Sequence, residues 1–248
     1  PGITYLAGAA RLVDGGVSVD DELVKATKII IATGGRPAVP AIPGIEKVQY
    51  LTSTTALELT EQPRSLMVIG GGYIGCELAQ MFARTGTKVT MVTRSHLLPG
   101  AEPEISDALA RFLADEGIVV RTGLDYREIR QSDDGALLTV ETANGIETLP
   151  AKRVLLTTGR TPNTAGLGLE ETGIATARRG GIEVDKYLRT STADIYAAGD
   201  VTGRDQFVYM AAYGAKLAAL NALNGDSHVY DNAEMPWVTF TDPQVAAV

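Results

Sequence analysis

Three glycines, Gly70, Gly72 and Gly75, stand at G-x-G-x-x-G spacing between two apolar runs. The run before them, Leu66 to Ile69, has the length and composition of a buried parallel strand. After them, Ile74, Leu78, Met81 and Phe82 recur at helical spacing and Gly86 is placed to end the helix. A second apolar run, Val89 to Val92, follows. In such a unit the first glycine permits the tight turn, the second lets backbone approach a pyrophosphate, and the third lets the helix pack on the strand. The N–H groups at the helix start, around Tyr73, Ile74 and Gly75, would then face the phosphates. The positive end of the helix dipole adds to their attraction for phosphate. The same glycines could serve a plain strand-to-helix turn, but the flanking strand, helix and strand favour a dinucleotide site.

The second strand carries the choice of nucleotide. An acidic residue about 20 positions past the glycines binds the ribose 2′-hydroxyl of NAD. Thr93, Arg94 and Ser95 occupy that place. An uncharged position followed by arginine suits the 2′-phosphate of NADP, because guanidinium pairs with phosphate. A solvated surface role for Arg94 stays open, and Ser95 to Glu102 holds no second arginine.

The elements that must position these groups follow from pattern. Thr4 to Leu6 and Val17 to Val19, around Asp14-Gly15-Gly16, read as strands and a tight turn. Lys28 to Thr33 reads as a buried strand, and the proline-rich Ala38 to Gly44 as a surface linker. A helix from about Pro103 to Glu116 should carry Ile105, Ala108, Leu109, Phe112 and Leu113 on one apolar face, with a third parallel strand at Ile118 to Val120. The pattern then changes to period two around Asn144-Gly145, a type I′ hairpin signal. Val154 to Thr157 and Ile195 to Asp200 are strand-to-turn exits, an alanine-rich helix spans 207–223, and Trp237 to Phe240 reads as a strand. IIIATGGRP (Ile29 to Pro37) and LLTTGRTP (Leu155 to Pro162) repeat one pattern of strand, Thr-Gly, Arg and Pro.

Bulk properties narrow the classes. The 248 residues are 45% hydrophobic, enough for a large core or two domains. No apolar run is long enough to span a membrane, and residues 1–16 do not resemble a signal peptide. A net charge of −8 argues against a nucleic-acid partner and for a soluble protein. Cys76 is the one cysteine, so no intrachain disulfide or cysteine metal cluster can form, and a packed role in the first helical turn is expected of it. His96 and His228 read as surface residues rather than ligands, and Glu77 as support for the positive helix start.

The combination resembles the flavoprotein disulfide reductases. ATGG at Ala32–Gly35, GGGYIGCE at Gly70–Glu77, TTGRTPN at Thr157–Asn163, TSTADIYAAGD at Thr190–Asp200 and FTDPQVA at Phe240–Ala246 stand in family order across the whole chain. The resemblance implies an α/β fold of FAD- and NAD(P)-binding Rossmann-like three-layer domains. It places FAD-domain pieces at 1–62 and 180–225 around an NAD(P) domain at 63–179, with 226–248 opening a dimerisation domain. Asp200 would accept a hydrogen bond from the flavin ribityl chain, Gly34 would contact FAD through its backbone, and the Val208 N–H would meet the flavin ring. Gly159 would edge the nicotinamide site, and Tyr73 would cover the flavin until nicotinamide displaces it. Within the family, TSTTALEL, GCELAQMFARTGTKVT and MPWVTFTDPQVA are similar to the mercuric branch, as is Tyr209 where dihydrolipoamide dehydrogenases usually have histidine. The implied activity is hydride transfer from NADPH to FAD and on to a cysteine pair, reducing Hg(II) to Hg(0). The implied parent is a cytoplasmic homodimer, of which this chain would be a fragment lacking the first FAD glycine motif, the cysteine pair and most of the dimerisation domain, and inactive alone. A dihydrolipoamide dehydrogenase-like enzyme, a flavoprotein oxidase or ferredoxin reductase, and a non-catalytic NADP-binding module are the alternatives.

Overall fold

The computed structural model describes residues 2–248. In chain order its strands are β1 (Ala10–Val13), β2 (Gly16–Val19), β3 (Glu22–Val24), β4 (Ile29–Ile31), β5 (Gly35–Pro37) and β6 (Tyr50–Leu51). Helix α1 (Ser53–Leu57) precedes β7 (Ser65–Ile69), α2 (Tyr73–Arg84), β8 (Lys88–Val92), α3 (Pro103–Asp115) and β9 (Val119–Arg121). Then come β10 (Asp125–Ser132), β11 (Gly135–Thr142), β12 (Gly145–Ala151), β13 (Arg153–Leu156) and β14 (Arg160–Pro162). Last are β15 (Ile195–Ala197), α4 (Val208–Asn224), β16 (Trp237–Thr239) and β17 (Val245–Ala247). The fold is α/β, as expected, and divides into two compact units, one of residues 1–36 with 160–234 and one of 37–159 with 235–248.

The second unit is built on a parallel sheet ordered β6-β13-β7-β8-β9. Alternation along β7 sends side chains to opposite faces. Leu66 and Val68 join Cys76, Ala79 and Phe82 of α2 and Leu109 and Leu113 of α3. Met67 and Ile69 join Leu138 and Val140 of β11 and Ile42, Ile45 and Val48. Helices, parallel sheet and the antiparallel sheet β10-β11-β12 therefore form three layers. In the first unit, β4 and β15 pair in parallel, β1-β2-β3 form a meander, and β5 pairs with β14. Their core gathers Ile31, Ile182, Ala197 and Val201 with Leu217 and Ala218 of α4.

Several local expectations shift. The segment expected as a surface linker has Ile42 only 2% exposed, and the Pro43 carbonyl accepts from the Ile129 N–H. That segment and β6 pack within the second unit. Residues 4–6 form no strand, and Tyr5 is exposed. On α2 the inward face is Gly75, Cys76, Ala79, Gln80 and Phe82, because the tight glycine crossing rotates the helix and leaves Met81 outside. On α3 it is Ser106, Leu109 and Leu113, with Ile105 and Phe112 exposed. The Asn-Gly hairpin is not type I′. Thr142 pairs with Gly145, so Ala143 and Asn144 are central, and Gly145 alone takes a positive φ, 114°.

Candidate functional site

Ile69 lies beside Val92 on one side and Leu156 on the other. Gly70, Thr93 and Thr157 therefore leave the sheet at one carboxyl edge, where open α/β sheets bind ligands. Gly70 has φ 119°, and a Cβ there would lie 2.5 Å from the Thr157 carbonyl oxygen. A Cβ on Gly75 would lie 2.4 Å from the Gly70 carbonyl oxygen and 2.8 Å from the Thr157 hydroxyl. These two glycines are required by packing. Gly72 differs, with an ordinary φ of −81° and nothing within 4 Å of an added Cβ. It is the N-cap of α2 and supplies no side-chain cap, so the helix start is open to an external acceptor. Thr157 locks the turn: its N–H and hydroxyl donate to the Ile69 carbonyl at 2.9 and 3.1 Å, and the hydroxyl lies 3.2 Å from the Gly70 carbonyl. Gly159, two residues on, has φ 100° and open space where a Cβ would stand.

The second strand contributes Arg94. Its guanidinium carbon lies 5.1 Å from the centroid of the Tyr126 ring, and its side chain is exposed. The Tyr126 hydroxyl donates to the Val92 carbonyl at 2.9 Å, and the Gly70 N–H donates to the same carbonyl at 2.9 Å. Burial pushes the Tyr126 phenol up to about 12, so it remains a donor at neutral pH.

Tyr73 and Ile74 begin α2, both half-buried. The Tyr73 ring sits 5.5 Å from that of Trp237, and burial raises its phenol. Cys76 is fully buried, with its thiol 3.7 Å from the Gly71 carbonyl and pushed up to about 12 by burial, which suits packing and not nucleophilic chemistry. The Glu77 carboxylate accepts from the Phe240 N–H at 2.8 Å, so it anchors the 235–248 segment as well as standing at the helix start.

In the first unit, the exits of β4, β14 and β15 are tied together by side chains. Asn163 donates its N–H to the Gly34 carbonyl at 2.9 Å and its amide to the Thr33 carbonyl at 3.0 Å, while the Thr33 hydroxyl donates back to the Asn163 carbonyl at 2.8 Å. Arg160 donates to Asp200 at 2.7 Å and to the Gly35 carbonyl at 2.7 Å. The two ionic side chains are 27% and 16% exposed, so the pair is screened less than a surface one. Asp200 gives one oxygen, Oδ2, to Arg160, and its Oδ1 makes no hydrogen bond among the described residues. A Cβ on Gly35 would press on Asp200 at 3.2 Å, whereas Gly34, with φ 69°, has open space beside it. Val208 opens α4 and is 85% exposed, and the preceding N-cap, Phe207, offers no side-chain cap. Phe207 and Tyr209 stack at 5.3 Å.

Sequence reasoning singled out Gly70, Gly72, Gly75, Thr93 and Arg94, and one sheet edge gathers them with Gly159. It gave no role to Thr157, Arg160, Asn163 or Tyr126. For the first three the signal was the paired Thr-Gly-Arg-Pro exits. For Tyr126, in a strand that the sequence pattern did not single out, there was none.

A family model described as pyridine nucleotide-disulphide oxidoreductase matches residues 1–219. The chain is 45% identical over 235 residues to a mercuric reductase of Streptomyces lividans, covering 95% of this chain and 49% of that protein. It is 43% identical to a mercuric reductase of Staphylococcus aureus, covering 100% of this chain and 46% of that one. Among solved structures, the HOCl-induced flavoprotein disulfide reductase RclA from Escherichia coli superimposes with a TM-score of 0.88 at 33% identity, over 99% of this chain and 57% of that one. The chain spans about half the length of the curated relatives it matches.

Proposed function

Because this chain belongs to the pyridine nucleotide-disulphide oxidoreductase family, we propose that it forms the NADPH- and FAD-handling part of a mercuric reductase-like oxidoreductase. The observation that carries the proposal is the pairing of an uncapped helix start at Gly72 with a clear approach to it, on a sheet edge that also bears Arg94. Those groups fit a dinucleotide: the α2 N–H groups face the pyrophosphate, Gly72 admits it, and Arg94 meets the 2′-phosphate. Gly159 would leave room for the nicotinamide end, and Tyr73, at the start of α2, would cover the flavin until the nicotinamide displaces it. The first unit fits a flavin: Gly34 leaves backbone open, Asp200 would offer its Oδ1 to a ribityl hydroxyl, and the start of α4 at Val208 would present its N–H to an acceptor atom of the flavin ring. When bound, the nicotinamide supplies hydride and the flavin accepts it. With Cys76 buried and no other cysteine in the chain, the thiol pair that would hold a soft Hg(II) substrate belongs to a longer parent protein. On this proposal the domains are FAD-binding at 1–62 and 180–225, NADP-binding at 63–179, and interface-forming from 226. The parent is a cytoplasmic homodimer.

The test is titration of the purified chain with FAD and with NADP⁺, followed by an assay of Hg(II)-dependent NADPH oxidation. Both cofactors are expected to bind saturably, Asp200→Asn to weaken FAD alone, and Hg(II) turnover to be absent. Binding of neither cofactor, or Hg(II) reduction by these 248 residues, would overturn the proposal. A general disulfide reductase is the second possibility, favoured by the likeness to the disulfide reductase RclA, and disulfide turnover by the full-length parent without Hg(II) turnover would select it.

A further inference from the structure

We infer that Tyr126 is a positioning residue for nucleotide selectivity, holding Arg94 where a 2′-phosphate would meet it. The inference rests on the proposal that the glycine turn binds NADP. Tyr126 reaches this place through a break in strand alternation. The β10–β11 register slips between Tyr126 and Glu128, leaving Arg127 as the extra residue. Tyr126 and Ile129, three positions apart, therefore both turn toward the core shared with Val92 and Leu138. The ring is anchored at one end by its hydroxyl on the Val92 carbonyl, 2.9 Å away, the same carbonyl that accepts from the Gly70 N–H. One oxygen thus ties the ring to the first glycine of the turn and to the strand end from which Arg94 departs.

The ring face is what Arg94 rests on, at 5.1 Å. A guanidinium over an aromatic face keeps its N–H edges available for in-plane hydrogen bonds, the geometry a phosphate needs. Among the described residues Arg94 has no carboxylate partner, whereas Arg121, opposite Val92 on β9, is paired with Glu147. An arginine with no carboxylate to compete for it, laid on a fixed ring, loses less freedom on meeting phosphate than one free in solvent.

The experiment measures the NADP⁺ to NAD⁺ affinity ratio in the whole chain by calorimetry, for wild type, Arg94→Ala, Tyr126→Phe and Tyr126→Met. Tyr126→Phe keeps the face but drops the hydroxyl anchor, and should lower the ratio less than Tyr126→Met does. Tyr126→Met removes the face and should lower NADP⁺ affinity about fivefold with NAD⁺ affinity unchanged. In an Arg94→Ala background the same change should have no effect on the ratio. A ratio shifted by Arg94→Ala but untouched by Tyr126→Met sinks the inference and spares the nucleotide assignment. A Tyr126→Met loss shared equally by both nucleotides also sinks it, since that is the mark of a structural role. No shift in Arg94→Ala sinks both. Should Tyr126→Met not fold, ¹³C-tyrosine-labelled wild type decides. The ring resonance missing from Tyr126→Phe should move with NADP⁺ and not with NAD⁺, and equal movement with both, or with neither, contradicts the inference.

Discussion

The glycine turn of the second unit and the tied strand exits of the first are assembled in opposite ways. The turn is local: strand, glycines, helix and the Arg94 strand occupy fewer than thirty consecutive residues, and only Thr157 and Tyr126 come from afar. The exits are non-local: Thr33 to Gly35, Arg160 to Asn163 and Asp200 meet across as many as 167 positions of sequence (200 minus 33), held by hydrogen bonds to exposed backbone and one ion pair. The local site is guarded by sterics at Gly70 and Gly75, whose Cβ positions meet backbone, while Gly72 between them stays clear. A non-local site is guarded by polar side chains, because nothing else reaches between the exits. Within the turn, substitution at Gly75 should therefore cost packing and binding together and substitution at Gly72 or Arg94 binding alone, whereas at the exits the two are coupled through Arg160 and Asp200.

The largest effect is expected from Gly75→Val. Its Cβ would meet backbone at 2.4 Å, so the helix must move off the strand at a cost of about 1–3 kcal/mol or more, and the melting temperature should fall together with NADP⁺ binding. Asp200→Ala follows. It strands the partly buried Arg160, and stability should drop by about 1–3 kcal/mol in denaturant titration, with FAD binding lost and NADP⁺ binding kept. Unaffected stability would mean that the exits are held by backbone alone. Arg94→Ala is expected to leave the melting temperature unchanged and weaken NADP⁺ about tenfold, with little change for NAD⁺.

The smallest effect concerns residues 235–248. Arg84 bonds Glu116 and Asp242, and the Arg84 hydrogen bond, the largest influence, holds the Glu116 carboxyl below its ordinary range. A lowered folded value means that this contribution is present above the unfolded pKa and lost as pH falls through the folded one. Fluorescence of Trp237, the only tryptophan, should therefore change in acid below the ordinary glutamate range, and Arg84→Ala should abolish that step. A transition centred at neutral pH would contradict this account.

The contrast also explains what could be read from sequence. Period and punctuation suffice for the turn, and β7, α2 and β8 stand where the apolar runs placed them. They fail where tertiary packing overrides local pattern. The proline-rich 38–44 segment is loop-like in composition, yet Ile42 is buried by the antiparallel layer above the sheet. The apolar stripes of α2 and α3 are only partly the buried faces, because helical spacing gives a stripe and not its rotation, which the Gly75 contact sets for α2. Asp200 and Gly34 were visible only through resemblance, since no spacing rule joins residues brought together by Arg160 and Asn163. Tyr126 was invisible because a bulge undoes the alternation by which strands are read.

The central claim, that an open Gly72 admits a pyrophosphate to the start of α2, is tested most directly by calorimetric titration of NADP⁺ into wild type and Gly72→Val. With φ at −81° and no atom within 4 Å of a Cβ, the substitution should leave the melting temperature unchanged while abolishing binding. Equal NADP⁺ affinity in the two proteins would contradict the claim.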